Sequence, residues 1–254
     1  MSQRSVDLNA DFGEGFGAYA FGQDDALLPY VTSVNIACGF HAGDPHTMRA
    51  AVNSCIQAGV AIGAHPGLPD RLGFGRREMA ITPQEAYDFV LYQVGALKAF
   101  VRTAGGQLRH VKPHGALYHM ANNQAEIAHA IARAVRDLDP HMMLYAQSGS
   151  ILLDIAKSHG LRTVSEVFAD RTYQADGSLT PRSQPNAVLD STEAALQQAI
   201  QMVKHGTVLT AGGREAAIMA QTICLHGDGP HAAQWAAAIR NGLEAEMVRV
   251  QAPQ

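Results

Sequence analysis

Four histidines stand where short apolar segments end, and the segments have the composition of buried β-strands. Each is followed within two residues by glycine; they are His41, His65, His114 and His226. One histidine at a strand end is usually structural, but four in the same position predict a shared rim of groups able to transfer protons or bind a metal. Turns at the carboxyl ends of parallel strands carry the active sites of such folds.

The segment Asn35–His46 shows the arrangement most fully. An apolar strand includes Asn35 and ends before Gly39. Polar side chains follow, and a helix pattern begins after them. Asp44 stands before Pro45, which is a helix-start signal, so Asp44 alone is well explained as an N-cap. His41 and His46 alone would be surface residues. The recurrence of the pattern favours a site.

The first predicted strand, 6–12, places Asp7, Asn9 and Asp11 on one face because strand side chains alternate. On an edge strand this face would only be solvated. In a closed barrel it points inward at the site, and Glu14 follows just beyond the strand end.

Further charged groups occupy equivalent positions. Lys112 precedes His114 by two residues, the end of the sixth strand carries Glu166 and then Asp170 with Arg171, and Asp228 follows the last histidine. The loop 66–77 contains three arginines, among them Arg76. It is either a solvated basic loop or a clamp for a carboxylate or phosphate, which arginine binds with two parallel hydrogen bonds.

Composition favours a single globular enzyme domain over residues 1–254. The chain has 47% hydrophobic and 17% charged residues, a net charge of −4 and three cysteines without paired spacing. These values predict neither nucleic-acid binding nor a disulfide framework. The sequence shows no signal peptide and no run of membrane-spanning length, so we expect a cytoplasmic protein.

Strand and helix patterns alternate along the chain, interrupted at 172–188 by an irregular excursion typical of a lid or binding loop. The fold predicted is α/β, a TIM-like (βα) barrel of about seven parallel strands. The alternative is an open doubly wound sheet, in which polar strand ends would gather at one switch point only. Six or more polar strand ends favour the barrel.

The order of these motifs resembles the LamB/YcsF family over nearly the whole chain. The resemblance is carried by 7–14 (DLNADFGE), 35–44 (NIACGFHAGD), 63–67 (GAHPG), 73–77 (GFGRR), 112–118 (KPHGALY), 166–171 (EVFADR) and 224–228 (CLHGD). It departs from the family pattern at Leu68 and His119, which leaves the charged residues intact.

This resemblance implies a barrel akin to those of glycoside hydrolases and polysaccharide deacetylases. It also implies the A subunit of an ATP-dependent 5-oxoprolinase, which converts 5-oxo-L-proline to L-glutamate together with partner B and C subunits. ATP, with its Mg²⁺, would be used together with the partners, because the sequence contains no G-x-x-x-x-G-K-[ST] motif.

Lactam hydrolysis needs a base, an acid and a group that stabilises the oxyanion. We expect the catalytic residues to be Asp11, Glu14, His65, Lys112 and His114. The expected substrate-binding residues are Asn9, Asn35, His41, Asp44, Arg76, Glu166, Asp170, Arg171, His226 and Asp228.

Two other functions fit parts of the pattern. One is a divalent-metal amidohydrolase or carbohydrate deacetylase. No metal is predicted, since H-E-x-x-H is missing, but its ligands would be Asp11, His41, His46 and His65. The other is a non-catalytic sugar- or amide-binding protein.

Overall fold

The computed structural model describes residues 4–19, 24–181, 184–225 and 232–254. Its strands are β1 (Ser5–Phe12), β2 (Ser33–Ala37), β3 (Ala61–His65), β4 (Leu108–Val111), β5 (Met143–Gln147), β6 (Arg162–Phe168), β7 (Thr207–Leu209), β8 (Glu215–Ala217), β9 (Thr222–Leu225) and β10 (Arg249–Val250). Strands β1 to β6 pair in sequence order, β6 pairs with β9, and β9 pairs back to β1, all in parallel. The closed seven-stranded barrel is thus confirmed.

Helices surround this barrel. They are α1 (Asp24–Leu27), α2 (Pro45–Ala58), α3 (Pro83–Thr103), α4 (Gly115–Asn123), α5 (Ala125–Leu138), α6 (Ile151–Ser158), α7 (Thr192–His205) and α8 (Ala232–Ala245). In the described ranges, no helix combines the length and the apolar character needed to cross a bilayer.

Strand β1 explains why the barrel interior is polar. Its even-numbered residues, such as Leu8 and Ala10, belong to the apolar core between strands and helices. Its odd-numbered residues Asp7, Asn9 and Asp11 point the other way and bond to side chains of other barrel strands. Asp7 and Asn9 are 1% and 0% exposed, so the edge-strand interpretation is wrong and the inward-facing one is confirmed.

Helix starts follow their sequence signals closely. Asp44 caps α2 by accepting the backbone N–H groups of His46 and Thr47, with Pro45 at the first helical position. Thr82 opens α3 in the predicted capping box.

The sequence pattern indicates a helix start only at Asn122 or Asn123, whereas helix α4 already begins upstream of them. It begins at Gly115, directly after His114, without a side-chain cap to announce it. A Cβ on Gly115 would approach the Gly75 carbonyl oxygen to 2.6 Å, so glycine permits a close contact between two loops. This start makes His114 the residue that joins strand β4 to a helix.

The glycine pair at 212–213 is typical of a turn, and antiparallel strands β7 and β8 form a hairpin around it. The short β10 extends the sheet beside β1 and gave no sequence signal of its own.

In the described part of the 172–188 excursion, Tyr173 is 1% exposed, and its hydroxyl accepts the Phe168 N–H at 2.8 Å. The excursion is therefore anchored to the end of β6.

Candidate active site at the carboxyl end of the barrel

Three histidines and one glutamate converge where β1, β2, β3 and β4 end. One nitrogen or oxygen atom from each lies within 4.8 Å of the others; the residues are Glu14, His41, His65 and His114, called the rim cluster below. The histidines are buried and the glutamate is partly exposed. The shared rim predicted from the sequence is therefore formed by three of the four strand-end histidines; the fourth, His226, lies outside the described residues, as does Asp228.

Backbone carbonyls orient two of these imidazoles. His65 donates through Nδ1 to the Lys112 carbonyl at 2.7 Å, and His114 donates through Nε2 to the Phe74 carbonyl at 2.8 Å. A carbonyl oxygen only accepts, so these two nitrogens carry the hydrogens. The remaining nitrogens, His65 Nε2 and His114 Nδ1, face each other at 3.0 Å. Two lone pairs at that distance require a proton or a cation between them.

His41 completes the cluster by stacking on His114, with ring centroids 3.7 Å apart and planes at 4°. Its Nε2 lies 3.2 Å from Glu14 Oε1, and the same oxygen lies 3.7 Å from His114 Nδ1. His41 Nδ1 is buried without a hydrogen-bond partner. Glu14 is thus the more exposed member of the cluster, beside two buried imidazoles.

Asp11 connects the rim cluster to a buried ammonium group. Its Oδ2 lies 3.2 Å from His65 Nε2, and its Oδ1 lies 3.1 Å from Lys112 Nζ. Lys112 also contacts Glu166 Oε1 at 2.9 Å and Cys224 Sγ at 3.1 Å. Since its hydrogens are already shared among these neighbours, Lys112 holds Asp11 ionised and oriented from below.

Below this layer the barrel interior is filled by a continuous hydrogen-bond network, called the interior network. Its members are Asp7, Asn9, Ser33, Asn35, His110, Tyr145, Glu166 and Thr222. Asn35 donates to Asn9 Oδ1 at 2.7 Å and accepts from His110 Nε2 at 2.8 Å. The predicted substrate-binding residues Asn9, Asn35 and Glu166 are therefore beneath the site, where they position Lys112 and Asp11.

The protonation preferences follow from burial and from these partners. Burial opposes ionisation of Asp11, but the charges of His65 and Lys112 hold its pKa well below the usual range. Burial lowers the pKa of Lys112, yet Asp11, Cys224 and Glu166 raise it well above its usual value. Burial, reinforced by neighbouring imidazoles, lowers the pKa values of His41 and His114 well below normal. The site thus combines an ionised carboxylate, a charged lysine and two imidazoles, His41 and His114, whose burial opposes protonation.

The loop 66–77 covers one side of the rim cluster. Phe74 has a φ of 54°, unusual for a bulky residue, and this strained conformation presents the carbonyl that His114 binds. A Cβ on Gly75 would lie 2.7 Å from His41 Cβ, so the loop backbone packs directly on the cluster. Of its arginines, Arg71 donates to the Gly43 carbonyl at 3.2 Å and fastens the loop.

Arg76 and Arg77 end this loop in different ways. Arg77 is paired with Asp70. Arg76 is exposed, lies 5.1 Å above the Phe74 ring, and its charge acts on His41. Arg76 is therefore an exposed cation beside the rim cluster.

Other predicted residues lie away from the rim cluster. His46 is exposed on α2, so the metal set Asp11, His41, His46 and His65 is not assembled. Asp44 serves as the α2 cap and also accepts the Gly17 N–H at 2.7 Å.

The residues after β6 also have structural contacts. Arg171 is buried and donates to the carbonyls of Ala187 and Thr180 at 3.1 and 2.6 Å, which fastens the 172–188 excursion. Asp170 is half-buried, and its backbone carbonyl accepts the Leu189 N–H at 2.7 Å.

Three contributors were missed from the sequence. Tyr118 donates to Glu166 Oε2 at 2.8 Å, Cys224 contacts Lys112, and His110 stacks on Tyr145 with centroids 3.9 Å apart. Counting back two residues from Lys112 on its strand would have revealed His110. The other two belong to elements whose orientation only the closed barrel determines.

A cavity of about 690 Å³ opens at the opposite, amino-terminal end of the barrel. Its lining includes Val31, Thr32, Arg109, Arg240 and Gln251. It contains basic and apolar groups but none of the rim cluster. The chemistry-bearing groups and this cavity therefore occupy opposite ends of the molecule.

Comparison with known proteins is consistent with this site. The family model described as the LamB/YcsF family matches residues 6–254. The 5-oxoprolinase A subunit of Geobacillus kaustophilus is 56% identical over 250 residues, covering 98% of this chain and 97% of that protein. The protein of the same name from Bacillus subtilis is 54% identical over 247 residues, covering 97% and 96%.

A solved structure shows the same fold over the full length. The crystal structure of the lactam utilization protein from Thermus thermophilus matches with a TM-score of 0.94 and 47% sequence identity. The match covers 98% of this chain and 100% of that one.

Proposed function

Because this chain belongs to the LamB/YcsF family, we propose that it is the A subunit of an ATP-dependent 5-oxoprolinase. Its reaction would be the opening of 5-oxo-L-proline to L-glutamate, coupled to ATP hydrolysis with partner B and C subunits. The observation that carries the proposal is the convergence of Asp11 and the rim cluster at the carboxyl end of the barrel. Because the reaction consumes ATP, a cytoplasmic location is part of the proposal.

Opening a five-membered lactam requires addition to the carbonyl carbon and protonation of the departing nitrogen. The first step develops negative charge on oxygen, and the second needs an acid within hydrogen-bond reach. The facing nitrogens His65 Nε2 and His114 Nδ1, 3.0 Å apart, lie where a proton held between them would stabilise that oxygen or pass to the nitrogen. Asp11, 3.2 Å from His65, would accept a proton from the attacking group.

The remaining roles follow from how exposed each side chain is beside the rim cluster. Glu14 is the partly exposed carboxylate beside His41 and would orient the ring N–H of the lactam. Arg76, exposed at the loop over the cluster, would bind the substrate carboxylate. Lys112 is 3% exposed and would act through Asp11 rather than by touching the substrate.

Two of the described helix starts at the rim, those of α2 and α4, do not fit a triphosphate. At α2, the Asp44 carboxylate already accepts the free amides and adds a negative charge. At α4, the Ala116 N–H is bound to the Gly75 carbonyl at 2.9 Å. A phosphate-binding helix start needs free N–H groups. We therefore assign ATP and its Mg²⁺ to a site completed by the partner proteins.

The test is sequential reconstitution. Purified chain is incubated with 5-oxoproline, ATP and magnesium, and glutamate is measured before and after the B and C subunits are added. The proposal expects glutamate only after the addition. Glutamate formed by the chain alone would refute partner dependence, and a complete mixture that still forms none would refute the proposed reaction. A complex reconstituted with His114→Ala is the matched control for the site.

A further inference from the structure

The rim cluster offers more than a proton-sharing pair. A shared proton accounts for His65 Nε2 and His114 Nδ1, but His41 Nε2 and Glu14 Oε1 point into the same space. One ligand atom from each of the four residues lies within 4.8 Å of the others. His65 Nε2 lies 3.0 Å from His114 Nδ1, and Glu14 Oε1 lies 3.2 Å from His41 Nε2 and 3.7 Å from His114 Nδ1.

These three separations match three of the six edges of a four-ligand coordination shell. Zinc–nitrogen and zinc–oxygen bonds of about 2.0–2.2 Å place neighbouring tetrahedral ligands roughly 3.4 Å apart. Three imidazole nitrogens with one carboxylate oxygen form a donor set suited to zinc and similar transition ions.

The backbone carbonyls that bind the second nitrogens of these histidines are also typical of a metal site. The second nitrogens of His65 and His114 donate to the carbonyls of Lys112 and Phe74, which directs their lone pairs inward. Metal-bound histidines are typically oriented in this way. The strained φ of Phe74 supplies one of these carbonyls, so backbone strain is concentrated where the ring must be aimed.

We propose that Glu14, His41, His65 and His114 bind one divalent transition ion, with Zn²⁺ as the best match. The binding rests on this geometry alone, whereas its use in lactam opening rests on the proposed function. There the ion would act as a Lewis acid. His65 and His114 would then be ligands, and Asp11, outside the set of four, would remain the carboxylate beside them.

The set differs from the one that sequence spacing suggested. It includes Glu14 and His114, which are 100 residues apart, and it excludes His46, which lies only five residues after His41. A variant at His46 is therefore the matched control for a variant within the set.

The experiment uses full-length chain without an affinity tag, stripped with a chelator and dialysed. It is titrated with Zn²⁺ and separately with Co²⁺, whose visible absorption reports its ligand geometry. We expect one ion per chain and cobalt bands of low-coordinate, nitrogen-rich type. His114→Gln and Glu14→Gln should each weaken binding at least about a hundredfold, beyond the 10–100-fold usual for residues that only orient a ligand. His46→Gln should bind normally.

Circular dichroism melting of each variant separates lost ligands from lost folding. Failure of wild-type chain to bind either ion, or equal binding by folded His114→Gln and wild type, would overturn the proposal. Metal content is measured on the chain alone and glutamate formation on the complex. The metal site can thus fail while the proposed function stands, and the reverse.

Discussion

The interior network and the rim cluster are both buried and polar, yet their atoms are satisfied in opposite ways. In the interior network Asp7 accepts from Ser33, Thr222 and Tyr145, so its carboxylate is surrounded by donors. In the rim cluster two lone pairs face each other. Each region holds one buried ring nitrogen without a partner, His41 Nδ1 and His110 Nδ1, so the facing lone pairs are what distinguish the rim cluster. Donors paired with acceptors stabilise one arrangement, whereas two facing lone pairs need a proton or a ligand between them.

The largest difference between the regions should appear in turnover. His65→Ala and His114→Ala remove groups that face the open space, and Asp11→Asn removes the carboxylate beside them. Each should lower glutamate formation by the reconstituted complex by about 10²–10⁴. Melting temperatures should stay close to wild type. Near-normal rates in all three variants would show that the rim cluster is structural, like the network below it.

The interior network should respond in stability instead. A Cβ on Gly63 would lie 2.1 Å from His110 Nε2, which is a clash with the imidazole ring. That ring cannot move away easily because it stacks on Tyr145. Gly63→Ala should therefore destabilise the chain by at least about 3 kcal/mol, the upper part of the range for overpacking. Urea unfolding measures this.

Gly95 in α3 provides the control, because a Cβ there would meet only Leu138 Cδ2, at 4.0 Å. Gly95→Ala should be neutral or stabilising by roughly 0.5–1 kcal/mol. Equal effects of the two substitutions would contradict the tight packing inferred around His110.

A pH-dependent effect on stability is expected beside the rim cluster, at Asp24. Asp24 accepts the Gly13 N–H at 2.8 Å, next to Glu14, and burial raises its pKa to about 6. The usual value is 3.8, so between these values the folded chain binds more protons than the unfolded chain. This group's contribution therefore becomes less favourable as pH rises through the window, by at most about 3 kcal/mol.

Asp24→Asn keeps the acceptor for Gly13 and removes the charge. The variant should match wild type in unfolding free energy at pH 4 and exceed it at pH 8. A gain that is the same at both pH values would show that Asp24 does not titrate as described.

The smallest effect is expected at His46. It is exposed on α2, away from both regions, so His46→Ala should change turnover by no more than about twofold. A loss of turnover comparable to that of His65→Ala would show that His46 takes part in the site. It would contradict the distinction between the rim cluster and the surface.

The sequence predicted the barrel and most of its rim because both depend on local signals. Alternation along β1 assigned Asp7, Asn9 and Asp11 to one face, and glycine after His65 and His114 marked two strand ends. The layer at which each residue lies could not be predicted. Asn9 and Asp11 are two residues apart, yet one is covered by the interior network and the other reaches the rim, which depends on strand stagger around the closed barrel.

Side-chain partners from distant segments were also beyond the sequence. Arg171 and Asp44 carry the charge expected of substrate-binding groups, but nearby carbonyls and amides already bind them. Helix α4 lacks a capping side chain, so the geometry that places His114 had no local signal.

The most direct test is the structure of the assembled complex with 5-oxoproline and an ATP analogue. The account predicts the lactam ring against His65 and His114, with its carboxylate toward Arg76 and Asp11 within hydrogen-bond reach of the reacting group. Binding of the lactam in the cavity lined by Arg109 and Arg240, at the opposite end of the barrel, would contradict it.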